Sequence, residues 1–105
     1  MNFQKLSKSS RNGDIAELMV ITHYLNEGWE AFPNASCKGP IDLIIVNPVT
    51  NETFFIDVKS KDVWDRSKTT GLPNNYRVKP TELQRKLGVK FVYVERSTGS
   101  IHEGF

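Results

Sequence analysis

The sequence predicts an α/β domain in the order helix, three strands, helix, strand, with a small mixed sheet flanked by helices. Three observations lead there. Apolar residues recur at helical spacing from Ile15 to about Asn26. Two β-branched and aromatic runs, Leu43 to Val46 and Thr53 to about Ser60, surround the turn-forming stretch Asn47-Pro48-Val49-Thr50-Asn51-Glu52. A short helical segment from Pro80 to Leu87 then runs into the strand-like Val89 to Glu95. With 105 residues, 38% of them hydrophobic and 25% charged, the chain has material for one modest core.

Residues Met1 to Asn12 are polar and Ser/Lys-rich without periodicity, as expected of a flexible basic arm; the rest, 13–105, reads as one domain. Gly13-Asp14 marks a helix start, with Asp14 as N-cap or first-turn acid. Ile15, Leu18, Met19 and Leu25 follow helical spacing, and Val20, Ile21 and Tyr24 widen the stripe until little polar face remains. Such a helix is expected against a sheet on one side and under a second cover elsewhere. Gly28 is the expected stop. Trp29 to Phe32 is a strand candidate closed by Pro33-Asn34, and Ala35 to Pro40 is a loop. Lys61 to Lys79 is irregular, and a loop of that length in a small domain suggests a functional role. Pro80 at N1 or Thr81 as cap opens the second helix, and Gly88 ends it. Ser97 to Ser100 is a turn, and Ile101 to Phe105 is a candidate edge strand.

No apolar run approaches the roughly 20 residues that span a bilayer, and the N-terminus lacks the apolar core of a signal peptide. A single cysteine, Cys37, forms no internal disulfide and makes a reducing, cytoplasmic setting the expectation. One Cys and two distant His residues, His23 and His102, argue against zinc. The net charge of +2 is small, but its distribution is uneven. Met1 to Val58 has four basic residues against seven acidic, whereas Lys59 to Lys90 has nine against three. Lys5, Lys8 and Arg11 in the arm, with Lys61, Arg66, Lys68, Arg77 and Lys79, suit a polyanionic ligand, with Trp64 and Tyr76 available for stacking. A solvated basic surface is the alternative.

The chemistry-bearing residues gather on the hairpin. Gly39-Pro40-Ile41-Asp42 opens its first strand, and Phe54-Phe55-Ile56-Asp57-Val58-Lys59 forms its second. Alternation puts Asp57 and Lys59 on one face, and pairing can bring Asp42 near Asp57. Ionised groups on apolar strands are costly unless paired or bound to a metal. Glu17, on the nearly all-apolar helix, is a third acid. Glu17, Asp42, Asp57 and the Val58 carbonyl are hard oxygen donors that suit Mg2+, or Mn2+ in its place. Lys59 would orient the attacking water and neutralise charge developing on a phosphate, which suggests phosphodiester hydrolysis. A plain Asp–Lys ion pair is the competing interpretation.

The order Glu17, Gly39-Pro40-Ile41-Asp42, Ile56-Asp57-Val58-Lys59 resembles the signature of the PD-(D/E)XK nucleases, over roughly Arg11 to Glu95. Within that superfamily the chain looks most like the small Holliday-junction resolvases of archaea and phages. Gly13 before Glu17, and Gly28-Trp29 after the helix, are shared with them. The resemblance implies a restriction-endonuclease-like core, Asp42 and Asp57 as metal ligands, Glu17 as a direct or indirect ligand, and Lys59 as the catalytic lysine. It implies a Mg2+-dependent endonuclease cutting four-way DNA junctions as a homodimer, in a prokaryotic cell or phage-infected host. The first helix and Val89 to Val94 are the candidate pairing surfaces. Ser36 and Gln84 occupy places where such enzymes carry a serine and a helical glutamine, although solvent exposure is the plainer expectation for both. Ile41 separates the proline from the first acid, a departure from the motif. The Lys61 to Lys79 loop also departs from the resolvase pattern, leaving open a restriction, homing or repair nuclease acting on duplex or flapped DNA, or a silent DNA-binding module.

Overall fold

The computed structural model describes residues 8–36, 39–61 and 79–105. In chain order these form helix α1 (Lys8–Asn26), strands β1 (Glu30–Pro33), β2 (Leu43–Val46) and β3 (Thr53–Lys61), helix α2 (Glu82–Leu87), and strands β4 (Lys90–Glu95) and β5 (Ser100–Glu103). The five strands make one sheet in the order β1-β2-β3-β4-β5. β3 and β4 are parallel, and the other three pairs are antiparallel. The sheet is therefore mixed, as the sequence predicts. The parallel step falls where the chain runs between strands by way of α2, since a tight hairpin can join only antiparallel neighbours.

Two expectations for α1 are corrected. The helix starts at Lys8, inside the predicted arm of residues 1–12, so Asp14 lies within it and caps nothing. Once a helix has nucleated, each further residue adds a hydrogen bond. That gain outweighs the roughly 1 kcal/mol penalty of Gly13 in the interior. The buried face is also rotated from the predicted one. Ala16, Val20 and Tyr24 are buried, Met19 and Ile21 pack beside them, and Ile15, Leu18 and Leu25 are exposed. A helix apolar on nearly every side does not choose its own inner face. Small Ala16 lets the backbone approach the sheet, and Val20 and Tyr24 follow at i+4 and i+8.

The core lies between that face and one side of the sheet, where Leu43, Ile45, Ile56, Val92 and Val94 are buried. Strand alternation turns Phe91, Tyr93 and Glu95 to the opposite side. Both helices end on a glycine at positive φ, Gly28 at 90° and Gly88 at 69°. In each, two amides fold back onto the last turn: Gly28 and Trp29 donate to Leu25 and Tyr24, and Gly88 and Val89 to Arg85 and Gln84. At its other end α2 has a full capping box, Thr81 with Gln84. β4 lies inside the sheet between β3 and β5, and Phe91 to Val94 are buried on both faces, so this strand does not offer the exposed surface expected for pairing.

Ile56→Ala is expected to destabilise the fold by about 2–5 kcal/mol, while Leu18→Ala stays within about 0.5 kcal/mol. No atom lies within 4 Å of where a side chain at Gly13 would project, so Gly13→Ala is expected to stabilise by about 0.5–1 kcal/mol. Urea unfolding of the three variants checks the placement of α1. A large loss at Leu18 with none at Ile56 would overturn it.

Candidate active site

β2 and β3 pair with Leu43 opposite Ile56. One residue before β2 the ladder changes. Asp42 N–H donates to the Ile56 carbonyl at 2.8 Å, one residue out of register. The Val58 amide then meets no carbonyl and donates to Asp42 Oδ2 at 2.6 Å. A charge-assisted bond of this length holds the carboxylate firmly against β3. In a strand the amide and carbonyl of one residue point to the same side, so the Val58 carbonyl also faces Asp42.

Asp57, next along β3, is 6% exposed. Lys59 projects from the same face, its Nζ 3.0 Å from Asp57 Oδ2 and 6.0 Å above the Phe91 ring. This is a charge contact off hydrogen-bonding alignment, and Oδ2 accepts no directed hydrogen bond. Burial pushes the Asp57 carboxyl up to about 6; the Lys59 ammonium opposes the rise and the Asp42 charge adds to it. Glu17, half-buried on α1, joins the same field. Its carboxyl is raised by burial first, then by Asp42, Asp14 and Asp57. Asp42 thus lies near enough for its charge to act on both Asp57 and Glu17, and Lys59 lies beside Asp57.

Asn34 and Gln84 hold the strand that carries Asp42. The Asn34 amide N–H donates to the Asp42 carbonyl at 2.9 Å, and its side-chain Nδ2 to the Ile41 carbonyl at 3.0 Å. Asn34 escaped the sequence reading, although Asn34-Ala35-Ser36 is an Asx-turn pattern. Gln84, expected to be exposed, is instead buried and bridges α2 to the Pro40 carbonyl at 3.2 Å through Nε2. Its Oε1 accepts from Thr81 N–H at 3.0 Å. Ser36 is exposed, and both its amide and its hydroxyl donate to Asn34 Oδ1.

Of the predicted basic contacts, Arg11, Lys61 and Lys79 are exposed, and Lys61 shares the β3 face of Asp57 and Lys59. Lys8 begins α1. Lys5, Arg66, Lys68 and Arg77 lie outside the described residues, as do Cys37, Trp64 and Tyr76. No helix among the described residues is long and apolar enough to cross a membrane.

A second cluster was not anticipated. His23, Glu27 and Glu103 place one ligand atom each within 4.8 Å of one another. His23 and Glu27 are one helical turn apart, which the sequence displays; Glu103 joins them only through the fold.

The two acidic groups differ as donor sets. Glu17, Asp42, Asp57 and the Val58 carbonyl offer oxygen only, and such a donor set fits a hard divalent ion such as magnesium or manganese. No protein-family model matches this chain, and no curated protein or solved structure matches it either.

An ordinary aspartate ionises near 3.8 and Asp57 near 6. The folded protein therefore holds the extra proton between those values, and its stability falls as pH rises through that window, by up to about 3 kcal/mol. Asp57→Asn is expected to remove this slope and to be about 1–3 kcal/mol more stable at pH 7. Near pH 3 the two proteins should be alike. Denaturant unfolding across that range gives the answer, and an unchanged slope would mean that Asp57 is not desolvated.

Proposed function

We propose that this chain is a Mg2+-dependent endonuclease that hydrolyses DNA phosphodiesters on a PD-(D/E)XK, restriction-endonuclease-like core. Its preferred substrate in this reading is a four-way junction, cut by a homodimer in the cytoplasm. The observation that carries the reading is the meeting of Asp42, Asp57 and Glu17 beside Lys59. A buried carboxylate whose proton affinity is raised by burial and by the Asp42 charge, with Glu17 raised in the same field, forms a poor structural unit and a good cation site.

Asp42 and Asp57, with Glu17 and the Val58 carbonyl, would hold the ion. When bound it supplies positive charge for the oxygens of an in-line displacement at phosphorus. The chain's own residues do the rest. Val58 N–H fixes the Asp42 carboxylate, so only one of its oxygens is committed before a ligand arrives. Lys59, 41% exposed at its side chain, is accessible to substrate while its contact with Asp57 restricts the ammonium. From there it can donate to a phosphate oxygen and orient the attacking water. Lys61 extends the same face toward the DNA backbone, and Arg11 and Lys79 add exposed charge.

The dimer has support of a simpler kind. Ile15, Leu18 and Leu25 expose 44%, 62% and 54% of their surface on one helix, and two strands cut symmetrically require two sites.

The deciding assay compares a four-way junction, its matching linear duplex and a flap, with and without Mg2+. Paired nicks confined to the junction are expected. Asp57→Asn should abolish them while leaving junction binding largely intact. Lys59→Ala should slow cleavage on the order of 10²–10³-fold. Cutting of duplex or flap instead would keep the chemistry and change the substrate. A chain that binds DNA but cuts nothing would be a binding module, and the catalytic assignment would be wrong.

A further inference from the structure

At the far end of α1 from Glu17, the imidazole of His23, the carboxylate of Glu27 just past the helix, and the carboxylate of Glu103 on β5 converge within 4.8 Å. His23 is six residues beyond Glu17, roughly 9 Å of helix rise, so this group is separate from the hairpin acids. Its composition differs as well: one nitrogen and two carboxylates.

Three features leave the cluster open to a cation. Among the described residues neither Glu27 nor Glu103 has a lysine or arginine ion pair; the one ionic contact is His23 Nε2 to Glu27 Oε1 at 3.4 Å. His23 offsets the two negative charges only when protonated, whereas a neutral imidazole has a lone pair free for a metal. The group also sits at the C-terminal end of α1, where the helix dipole favours positive charge.

The independent observation is Tyr24. Its side chain is 1% exposed, and its hydroxyl makes no directed hydrogen bond. It lies beside the Glu103 carboxylate, on the α1 side of the sheet. A buried, uncommitted O–H beside one carboxylate is available to turn toward it and orient a ligating glutamate, because metal-bound carboxylates are themselves hydrogen-bonded. Strand alternation agrees, since Glu103 shares a β5 face with Ile101, which packs on the α1 side of the sheet.

We infer that His23, Glu27 and Glu103 form a binding site for a divalent transition-metal ion of the zinc class. The mixed imidazole–carboxylate set favours such an ion over magnesium, whose ligands are oxygens. Three protein ligands leave a position for water. Bound there, the ion ties the C-terminal end of α1 to the edge strand β5, two elements far apart in sequence, and so stabilises the folded chain. The inference does not depend on the proposed nuclease activity.

The test uses the full chain, stripped with a chelator and titrated with zinc chloride or magnesium chloride while thermal unfolding is followed. Zinc at about 100 times its dissociation constant is expected to raise Tm by roughly 10 °C or more. Glu103→Gln and His23→Ala should each lose that rise, and Asp57→Asn should keep it. Should Glu103→Gln fold poorly, Glu27→Gln at an exposed position carries the same expectation. By NMR, substoichiometric zinc should shift the imidazole resonances of His23 and leave those of His102 in place. The proposal is overturned if zinc gives no stabilisation. It fails equally if the effect survives Glu103→Gln but disappears in Asp57→Asn, because the ion would then lie among the hairpin acids.

Discussion

A buried carboxylate on an apolar strand, with a second carboxylate brought to its side, is the constraint that the rest of this structure serves. Like charges separate unless something restrains them, and here the restraint is the bond from Val58 N–H to Asp42 Oδ2. It exists because the β2–β3 ladder slips by one residue at Asp42, leaving an amide that a side chain must satisfy. The backbone of β3 thus gains a partner, and Asp42 gains a fixed position. Asp57 on the same strand has its proton affinity raised by burial and only partly lowered by Lys59. The pair is held in a state that binding a cation would relieve.

The surrounding elements make that state durable. Asn34 bonds to the carbonyls of Ile41 and Asp42 from the β1 side, and Gln84 bonds to Pro40 from α2. Each also completes a local motif, an Asx turn in one case and a capping box in the other. Deforming the Pro40 to Asp42 segment would therefore break structure in two neighbouring elements. α1 adds Glu17 through a different mechanism, by packing Ala16, Val20 and Tyr24 on the sheet so that the intervening acid lies near the hairpin end.

α1 also links the two acidic clusters. Its first half presents Glu17 to an all-oxygen group, and its end presents His23 and Glu27 to Glu103. One 19-residue helix keeps the clusters apart, and their donor sets differ: oxygen only in one, one imidazole with two carboxylates in the other. Along the same helix, Ile15, Leu18 and Leu25 leave an apolar strip in solvent, which in the proposed nuclease is the surface available for a second copy.

Most of the element order was legible in the sequence because local chemistry specifies it. Gly28 and Gly88 stop helices, Thr81 and Gln84 cap one, and the Asn47 to Glu52 turn joins two β-branched runs. That Asp57 and Lys59 share a face was legible for a related reason, since alternation along β3 decides it. Other features depended on contacts between distant segments. The side of α1 that is buried, the start of that helix at Lys8 and the interior place of β4 follow from packing, which a helix apolar all round does not encode. Gln84 was expected in solvent, but its amide is drawn inward by a carbonyl 44 positions earlier. Glu103 meets His23 only because β5 lies beside β4. By itself the sequence determined the elements and the faces of the strands; only the tertiary structure decided which charges became neighbours, because that depends on where the sheet brings distant segments together.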